Sequence, residues 1–495
     1  MLESTAASPI PSLDAGWRLE HSYALLPASL HRKVAPTPVR EPRLVLFNRP
    51  LARDLGLDPD LLDRPESNAL FAGNALPPGA EPLAQAYAGH QYGHFTTLGD
   101  GRAILLGEQR TPDGGRFDVQ LKGPGMTPFS RRGDGRAALG PMLREYVISE
   151  FMHAAGIPTT RSLAVATTGE PVFREQTLRG AVLTRIAASH IRVGTFEWAA
   201  ALGDGETLTA LADHTLHRHF PDCAGAGNPV LAMLEVAVER QASLIARWLL
   251  VGFIHGVMNT DNMALSGETI DYGPCAFMDE YDPATVFSSI DRNGRYAYGN
   301  QARIAQWNLA RLAEALLPLI HPDEPQAVEL AGRAVGAFPG AFHRHWLSGM
   351  RSKLGLLTTE EGDSSLVDTL LAWMHRRNLD FTNTFRSLTR GSLPEASCEQ
   401  DSEFMEWHRL WTARLTRQSA TRDQARDLML RHNPAVIPRN HKVEEALNAA
   451  SLDDLGPLER LLEVLGNPWN PPAGSCDFTS PPRPGERVEK TFCGT

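Results

Sequence analysis

The sequence predicts an α+β protein of two lobes, a mixed β N-lobe with one helix and a larger helical C-lobe, and three observations predict it. Between Thr96 and Phe173, short apolar or alternating runs are set apart by Gly turns, which is the pattern of strands. A single helical run interrupts them, from about Pro141 to Ala155. After about Glu197 apolar residues recur at helical spacing along most of the remaining chain. The divisions expected are 1–197 for an N-terminal extension and N-lobe, 198–465 for the helical lobe, and 466–495 for a tail rich in Pro and Gly.

Residues 1 to about 80 carry Pro and short apolar clusters, with one short helix expected around Pro50 to Leu55, and read as an extension wrapped on something larger. The strands expected next are Ala103–Leu106, Phe117–Lys122, Ser162–Thr167 and Pro171–Arg174. The helix among them starts at Pro, which suits a first turn, and stops at Gly156-Ile157-Pro158, which cannot continue one. In the second lobe Leu231–Phe253, Gln301–Leu317, Pro325–Phe338 and segments near Leu366–Met374 and Phe404–Leu415 read as helices. A loop region rich in Gly, Asp and Asn, His255 to Asn300, separates the first two. A mixed sheet with one helix, standing where a kinase carries its αC helix, followed by a larger helical part, is the layout of a protein kinase. The tail reads as extended or mobile.

Lys and Arg number 48 against 58 Asp and Glu, a net charge of -10, so no global basic field gathers nucleic acid. The longest apolar stretch, Leu244 to Met258, is broken by Arg247 and His255 and is too short to span a bilayer. Met1 to Leu19 lacks the basic end and apolar run of a secretory signal, so a cytoplasmic protein is expected. Five cysteines (Cys223, Cys275, Cys398, Cys476 and Cys493) are too scattered for a disulfide scaffold or a CxxC zinc site.

Chemistry concentrates in a few segments. Thr96 to Leu106 reads as strand, Gly-x-Gly turn and strand; Gly99 and Gly101 let backbone N–H groups approach an anion and Arg102 adds a fork of donors, although a plain turn has the same pattern. Alternation along Phe117–Lys122 places Lys122 on one face with Gln120 and Asp118. Glu145, three residues from Met142 and from Ile148, lies at the border of its helix's apolar stripe. In a kinase-like fold a strand Lys held by a helix Glu neutralises phosphate; the alternative is a pair that never meets. Ser130 to Arg136 interleaves three arginines with Gly ahead of the helix, which suits phosphate. Asp134, within it, either holds an arginine or accepts from a ribose or base. Arg185 and Arg192 either join Lys122 in holding a triphosphate, in a chain that lacks the GxxxxGK[ST] loop, or are two unrelated surface arginines.

The most specific segment is His255-Gly256-Val257-Met258-Asn259-Thr260-Asp261-Asn262-Met263, followed by Ile270-Asp271-Tyr272-Gly273. A kinase carries its base Asp two residues after such a His, and here that position is Val257, which takes no proton. Asp261 is the only carboxylate of the loop and directly precedes Asn262. Asn262 and Asp271 offer the hard oxygens that magnesium prefers. His90 and His94, four apart, would bind metal only on a helix, and their Gly-rich surroundings favour a packed or hydrogen-bonding role.

The strings YAGHQYGHF, LGDGRA, DVQLKGPGMTPFSRRGDGRA, REYVISEFMHAAGIPTTRSLAV, LTRIAASHIRVGTFEW, HGVMNTDNM, IDYGPCAFMD and IDRNGRYAYGNQ resemble the selenoprotein O (SelO/YdiU) family, from about Trp17 to the C-terminus. The resemblance implies an atypical, bilobal kinase-like fold that binds ATP flipped, with the α-phosphate facing a protein hydroxyl. The product it implies is AMP on Ser, Thr or Tyr, with pyrophosphate released. The nucleotide contacts it implies fall on Gly99, Gly101, Arg102, Lys122, Asp134, Gly135, Arg185, Arg192 and Asp271, with Glu145 paired to Lys122. Its proton acceptor falls on Asp261 and its ligands to magnesium or manganese on Asn262 and Asp271. It also implies a regulatory disulfide from a C-terminal cysteine, Cys493 or Cys476, to Cys275. The expected partners are ATP and hydroxyl-bearing proteins, with no nucleic acid and no membrane. Three other readings stay open: uridylyl transfer from UTP with manganese, an ordinary kinase, and an inactive nucleotide-binding pseudokinase suggested by Val257.

Overall fold

In the computed structural model the described residues are 14–491. The N-terminal region builds a nine-stranded sheet from β1 (Leu19–Glu20), β2 (His31–Lys33), β3 (Arg43–Phe47), β4 (Leu83–Gln85), β7 (Ala103–Arg110), β8 (Arg116–Lys122), β9 (Ala137–Ala138), β10 (Arg161–Phe173) and β11 (Thr177–Ala187). Its order is β2-β4-β7-β8-β11-β10-β3, with β1 on β7 and β9 on β11, and every pairing is antiparallel. β5 (Ala88–Gln91) and β6 (His94–Thr97) form a separate hairpin. The strands on either side of Gly99-Asp100-Gly101 therefore belong to different sheets and do not pair as a simple hairpin.

Strand alternation sends Ile104, Leu106, Val119 and Leu121 to one face of the sheet and Leu105 and Leu183 to the other. The first face is covered by short helices α1 (Arg49–Asp54), α2 (Pro59–Leu62) and α3 (Asn68–Phe71), which bury Leu51, Leu62 and Phe71 there. The N-terminal stretch is thus a layer of the lobe, and β1 to β3 are strands of its sheet. The second face receives α4 (Leu139–Ala154). The two runs expected at Ser162–Thr167 and Pro171–Arg174 are one strand, β10, whose register breaks between Thr167 and Pro171 where Gly169 turns at φ 69.

The rest is largely helical: α5 (Val193–Ala201), α6 (Gly205–His219), α7 (Pro229–Leu250), α8 (Gln301–Ile320), α9 (Glu324–Gly336), α10 (Phe338–Lys353), α11 (Asp363–Arg376), α12 (Phe381–Arg390), α13 (Ser402–Arg417), α14 (Arg422–His432), α15 (Asn440–Ser451), α16 (Gly456–Leu465) and α17 (Cys476–Thr479). Residue 197 lies inside α5. Helices α15 and α16 pack back on α4, which is buried nearly all round, and Glu145, 1% exposed and paired with Lys122 and Arg185, lies in the interior and not at a border. Between α7 and α8 the two-stranded ladder of β12 (Phe253–Ile254) and β13 (Ala276–Phe277) pinches off the loops at 255–275. The tail after residue 466 does not float within the described range: Thr491 bonds to Phe287, Ser289 and Pro274. Among the described residues no helix is long and apolar enough to cross a membrane.

Candidate functional site

Strand β8 lies between β7 and β11, and its last residue, Lys122, points to the α4 face. The Lys122 ammonium is 2.6 Å from Glu145 Oε2 and also contacts Asp271 Oδ1. Arg185 sits across from Gln120 in the β11–β8 register, donates to Gln120 Oε1 at 2.6 Å, and lies 3.2 Å from Glu145 and 3.5 Å from Asp271. Two buried cations are thus shared by two carboxylates. Burial alone would push the Asp271 carboxyl up, but Lys122, Arg185 and Arg102 together hold it well below the usual carboxylate range. Asp271 adopts the left-handed conformation, φ 66, which Asp tolerates better than most residues.

The loop held by β12 and β13 supplies the second half. His255, stacked on Trp248, lies with Nε2 2.8 Å from the Ile270 carbonyl and so ties this loop to the Asp271 segment. A short 3₁₀ turn, Thr260–Asn262, then presents Asp261 and Asn262. Asn262 donates to the Val257 carbonyl at 3.0 Å, which fixes its amide and leaves Oδ1 buried without a partner. Asp261 Oδ1 is likewise buried without a partner. Burial pushes the Asp261 carboxyl up to about 7; Arg192 opposes this, and the charges of Asp271 and Glu197 add to it. Arg192 donates to the Asp261 carbonyl at 3.0 Å and lies 4.4 Å over the Tyr87 ring, while its Nη2 is buried and unpartnered. Orphaned buried polar atoms are uncommon, and three of them converge on one loop here.

Several of these features escape sequence reasoning. The β5–β6 hairpin clasps the Asp261 loop: His90 N donates to Thr260 Oγ1 at 2.7 Å, and Tyr92 N to Asn259 Oδ1 at 3.1 Å. His90 also pairs with Glu197, which accepts at 2.5 Å from Thr260. His90 and His94 are therefore strand residues, and His90 is a hydrogen-bonding group, as its surroundings suggest. Gly89 touches Asp261 so closely that a Cβ there would fall 2.3 Å from Oδ1. Gln85, 2% exposed, leaves both amide atoms unpartnered, and neighbouring Asp100 is pushed up to about 6 by burial. The only sequence signal for this region is the conspicuous Gly- and His-rich string itself.

The Gly-rich turns are fixed by contact. Gly99 turns at φ 122 against Phe129, and a Cβ on Gly135, φ 66, would lie 2.0 Å from the Gly125 carbonyl oxygen. A Cβ on Gly101 would lie 2.9 Å from the Phe129 carbonyl oxygen. Asp134 forms a two-pronged pair with Arg174, with contacts of 2.9 and 3.0 Å, the first of its two expected roles, and Arg131 and Arg132 are exposed. Arg102 reaches the site through its charge on Asp271. Cys275 is buried, Cys476 is exposed, and Cys493 lies outside the described residues.

The orphaned Asn262 oxygen and the Asp271 carboxylate form a donor set that fits a hard divalent cation. Among the described residues no group of three His, Cys, Asp or Glu could cage a metal alone.

Known proteins align with the chain along nearly all its length. The family described as Protein adenylyltransferase SelO matches residues 17–466. A Protein nucleotidyltransferase YdiU of Bacillus cereus is 57% identical over 483 residues, 97% of this chain and 99% of that protein. One of the same description from Halalkalibacterium halodurans is 60% identical over 484 residues, 97% of this chain and 98% of that protein.

Proposed function

The chain belongs to the SelO family of protein adenylyltransferases, and from that premise we propose how its own residues carry the reaction. It is a nucleotidyltransferase, and its substrates as the family implies them are ATP and proteins. The antiparallel sheet with α4 forms the smaller lobe of a kinase-like fold and the helical region the larger, with ATP between them. Lys122, Arg185 and Arg192 hold the phosphates, and Glu145, paired with both Lys122 and Arg185, aims them. The turns at Gly99, Gly101 and Gly135 bring backbone close, with Arg102 and Asp134 at the rim. Asn262 and Asp271 would hold magnesium or manganese, which would supply neutralisation of phosphate charge.

A Ser, Thr or Tyr hydroxyl of the protein substrate attacks the α-phosphorus in line. The new O–P bond forms as the bond from the α-phosphorus to the β-phosphate oxygen breaks, pyrophosphate departs, and the hydroxyl proton passes to Asp261. The single observation that carries this reading is the Asp261 carboxylate: buried, with one oxygen lacking any partner, and raised toward neutral pH by burial. That is the state a general base requires, and such a base contributes roughly 10²–10⁴ in rate. Val257, buried and apolar, leaves Asp261 as the acceptor of its loop.

Redox control belongs to the same reading. Thr491 Oγ1 donates to the Pro274 carbonyl at 2.7 Å, next to Cys275. Two residues of chain reach about 7 Å, so this anchor supports Cys493 over Cys476 as the partner of Cys275. Incubation with ATP labelled at the α or the γ position tests the reaction type: α label on protein is expected. Label from γ, or none at all, sinks the reading, and α-labelled UTP with manganese tests uridylyl transfer in its place.

A further inference from the structure

On the C-lobe, away from Lys122, Asp261 and Asp271, a cleft of about 360 Å³ opens between α7 and α10 and is closed at its ends by the residues after α4, the end of α14 and Trp469. That volume is within the range of small-molecule sites. Its charged lining is cationic or titratable to cationic: Arg247, His345, Lys353, Arg431 and His432, and among the described residues no Asp or Glu lines it. In a chain of net charge -10 such a concentration is against the background.

Lys353 is the decisive residue. It is 2% exposed, and its ammonium rests 4.2 Å from the centre of the Phe385 ring and 5.3 Å from that of Phe381. No carboxylate among the described residues lies within 4.0 Å of Lys353 or Arg431. Burial alone lowers its ammonium to about 7, with no acidic neighbour to offset the loss. Several other buried cations are paired with carboxylates: Arg439 with Asp279 and Asp380, Arg414 with Asp363, Lys122 with Glu145; Arg192, beside Asp261, is an exception. A buried ammonium kept without a counter-charge destabilises the fold, and an anion in the cleft would supply that counter-charge. His345 is already paired with Glu239 at 2.7 Å, Arg247 donates to the Gly156 carbonyl, and His432 Nδ1 lies 2.8 Å from the Leu428 carbonyl, so Lys353 and Arg431 are the groups left for a ligand.

We propose that this cleft is a second binding site, for a small phosphorylated anion held between Lys353 and Arg431 with Trp469 as its aromatic wall. Two sources share that chemistry: a nucleotide, whose ring would lie on Trp469, and free pyrophosphate. The site is independent of the AMP-transfer reading, because none of the residues assigned to transfer lines it.

Titration calorimetry of the full chain with pyrophosphate and, separately, with AMP tests this. The wild type is expected to take up two equivalents of pyrophosphate. One should disappear in Lys122→Met. The other should persist there and weaken at least tenfold in Arg431→Ala, the loss of one charge-assisted hydrogen bond. Arg431 is exposed, so its replacement leaves the fold intact; Lys353→Met should weaken the same equivalent. Tighter binding of AMP that Trp469→Ala reduces to the pyrophosphate level assigns a nucleotide, and equal binding assigns the phosphoryl anion alone. A single equivalent that vanishes in Lys122→Met, or a second equivalent indifferent to both Arg431→Ala and Lys353→Met, overturns the proposal.

Discussion

Replacing Gly89 by Ala perturbs the candidate base without touching any group that holds ATP. The added Cβ would lie 2.3 Å from Asp261 Oδ1, 2.8 Å from Cγ and 2.9 Å from Cβ. Because all three side-chain atoms are too close, rotation of the carboxylate cannot relieve the clash, and the side chain or the hairpin must give by about 1 Å to restore normal packing distances. A displacement of that size at a reacting group lowers rate by roughly 10²-fold. Gly89 sits in a strand and not in the left-handed region, so Ala is conformationally allowed and the penalty to stability is only that of local overpacking, about 1–3 kcal/mol. The assay is AMP transfer from α-labelled ATP, with thermal unfolding and ATP affinity measured on the same preparation. A fall of about 100-fold in kcat with near-native ATP affinity is expected. If kcat stays within about threefold of wild type in a folded protein, Asp261 is not the group whose placement sets the rate.

Three further outcomes follow from the same geometry. Glu145→Gln removes a carboxylate from two buried cations, so stability should fall by about 3 kcal/mol, read by urea unfolding, and the KM for ATP should rise. Lys353→Met should stabilise the protein at pH 7 in phosphate-free buffer. The unfolded lysine keeps its proton to about 10.5 while the folded one releases it near 7. The unfolded chain therefore binds more protons in between, the penalty is full below pH 7, and it fades as pH rises. A shift of that size is on the order of 5 kcal/mol, so the gap between variant and wild type should narrow by pH 9.5. Chelation of divalent ions should abolish AMP transfer while leaving thermal unfolding unchanged, since Lys122 and Arg185 already neutralise Asp271 in the fold.

The parts of this molecule that can be read in its sequence are those set by local periodicity. Alternation along Phe117–Lys122 and helical spacing around Glu145 offer the two as candidates without deciding whether they meet, and the structure brings them to 2.6 Å. The depth of Glu145 is not legible, because Arg185, which lies 3.2 Å from it, and α15 and α16, which cover other parts of α4, all come from later in the chain. The β5–β6 hairpin is hidden for a similar reason: its string has no apolar alternation, and its partners, Asn259 and Thr260, lie about 170 residues away. Asp134 shows the limit of charge patterns, since a loop arginine cluster reads alike whether its acid serves a ligand or, as here, Arg174. Lys353 carries no sequence signal at all; only the fold shows that its ammonium is buried with no carboxylate beside it among the described residues.

In the proposed mechanism Asp261 takes the proton of the attacking hydroxyl. Asp261→Asn keeps the shape of the side chain and removes the proton acceptor, so the variant should fold, bind ATP as the wild type does, and transfer AMP to protein at least 100-fold more slowly in the α-label assay. Transfer at the wild-type rate by a folded Asp261→Asn protein would contradict the account.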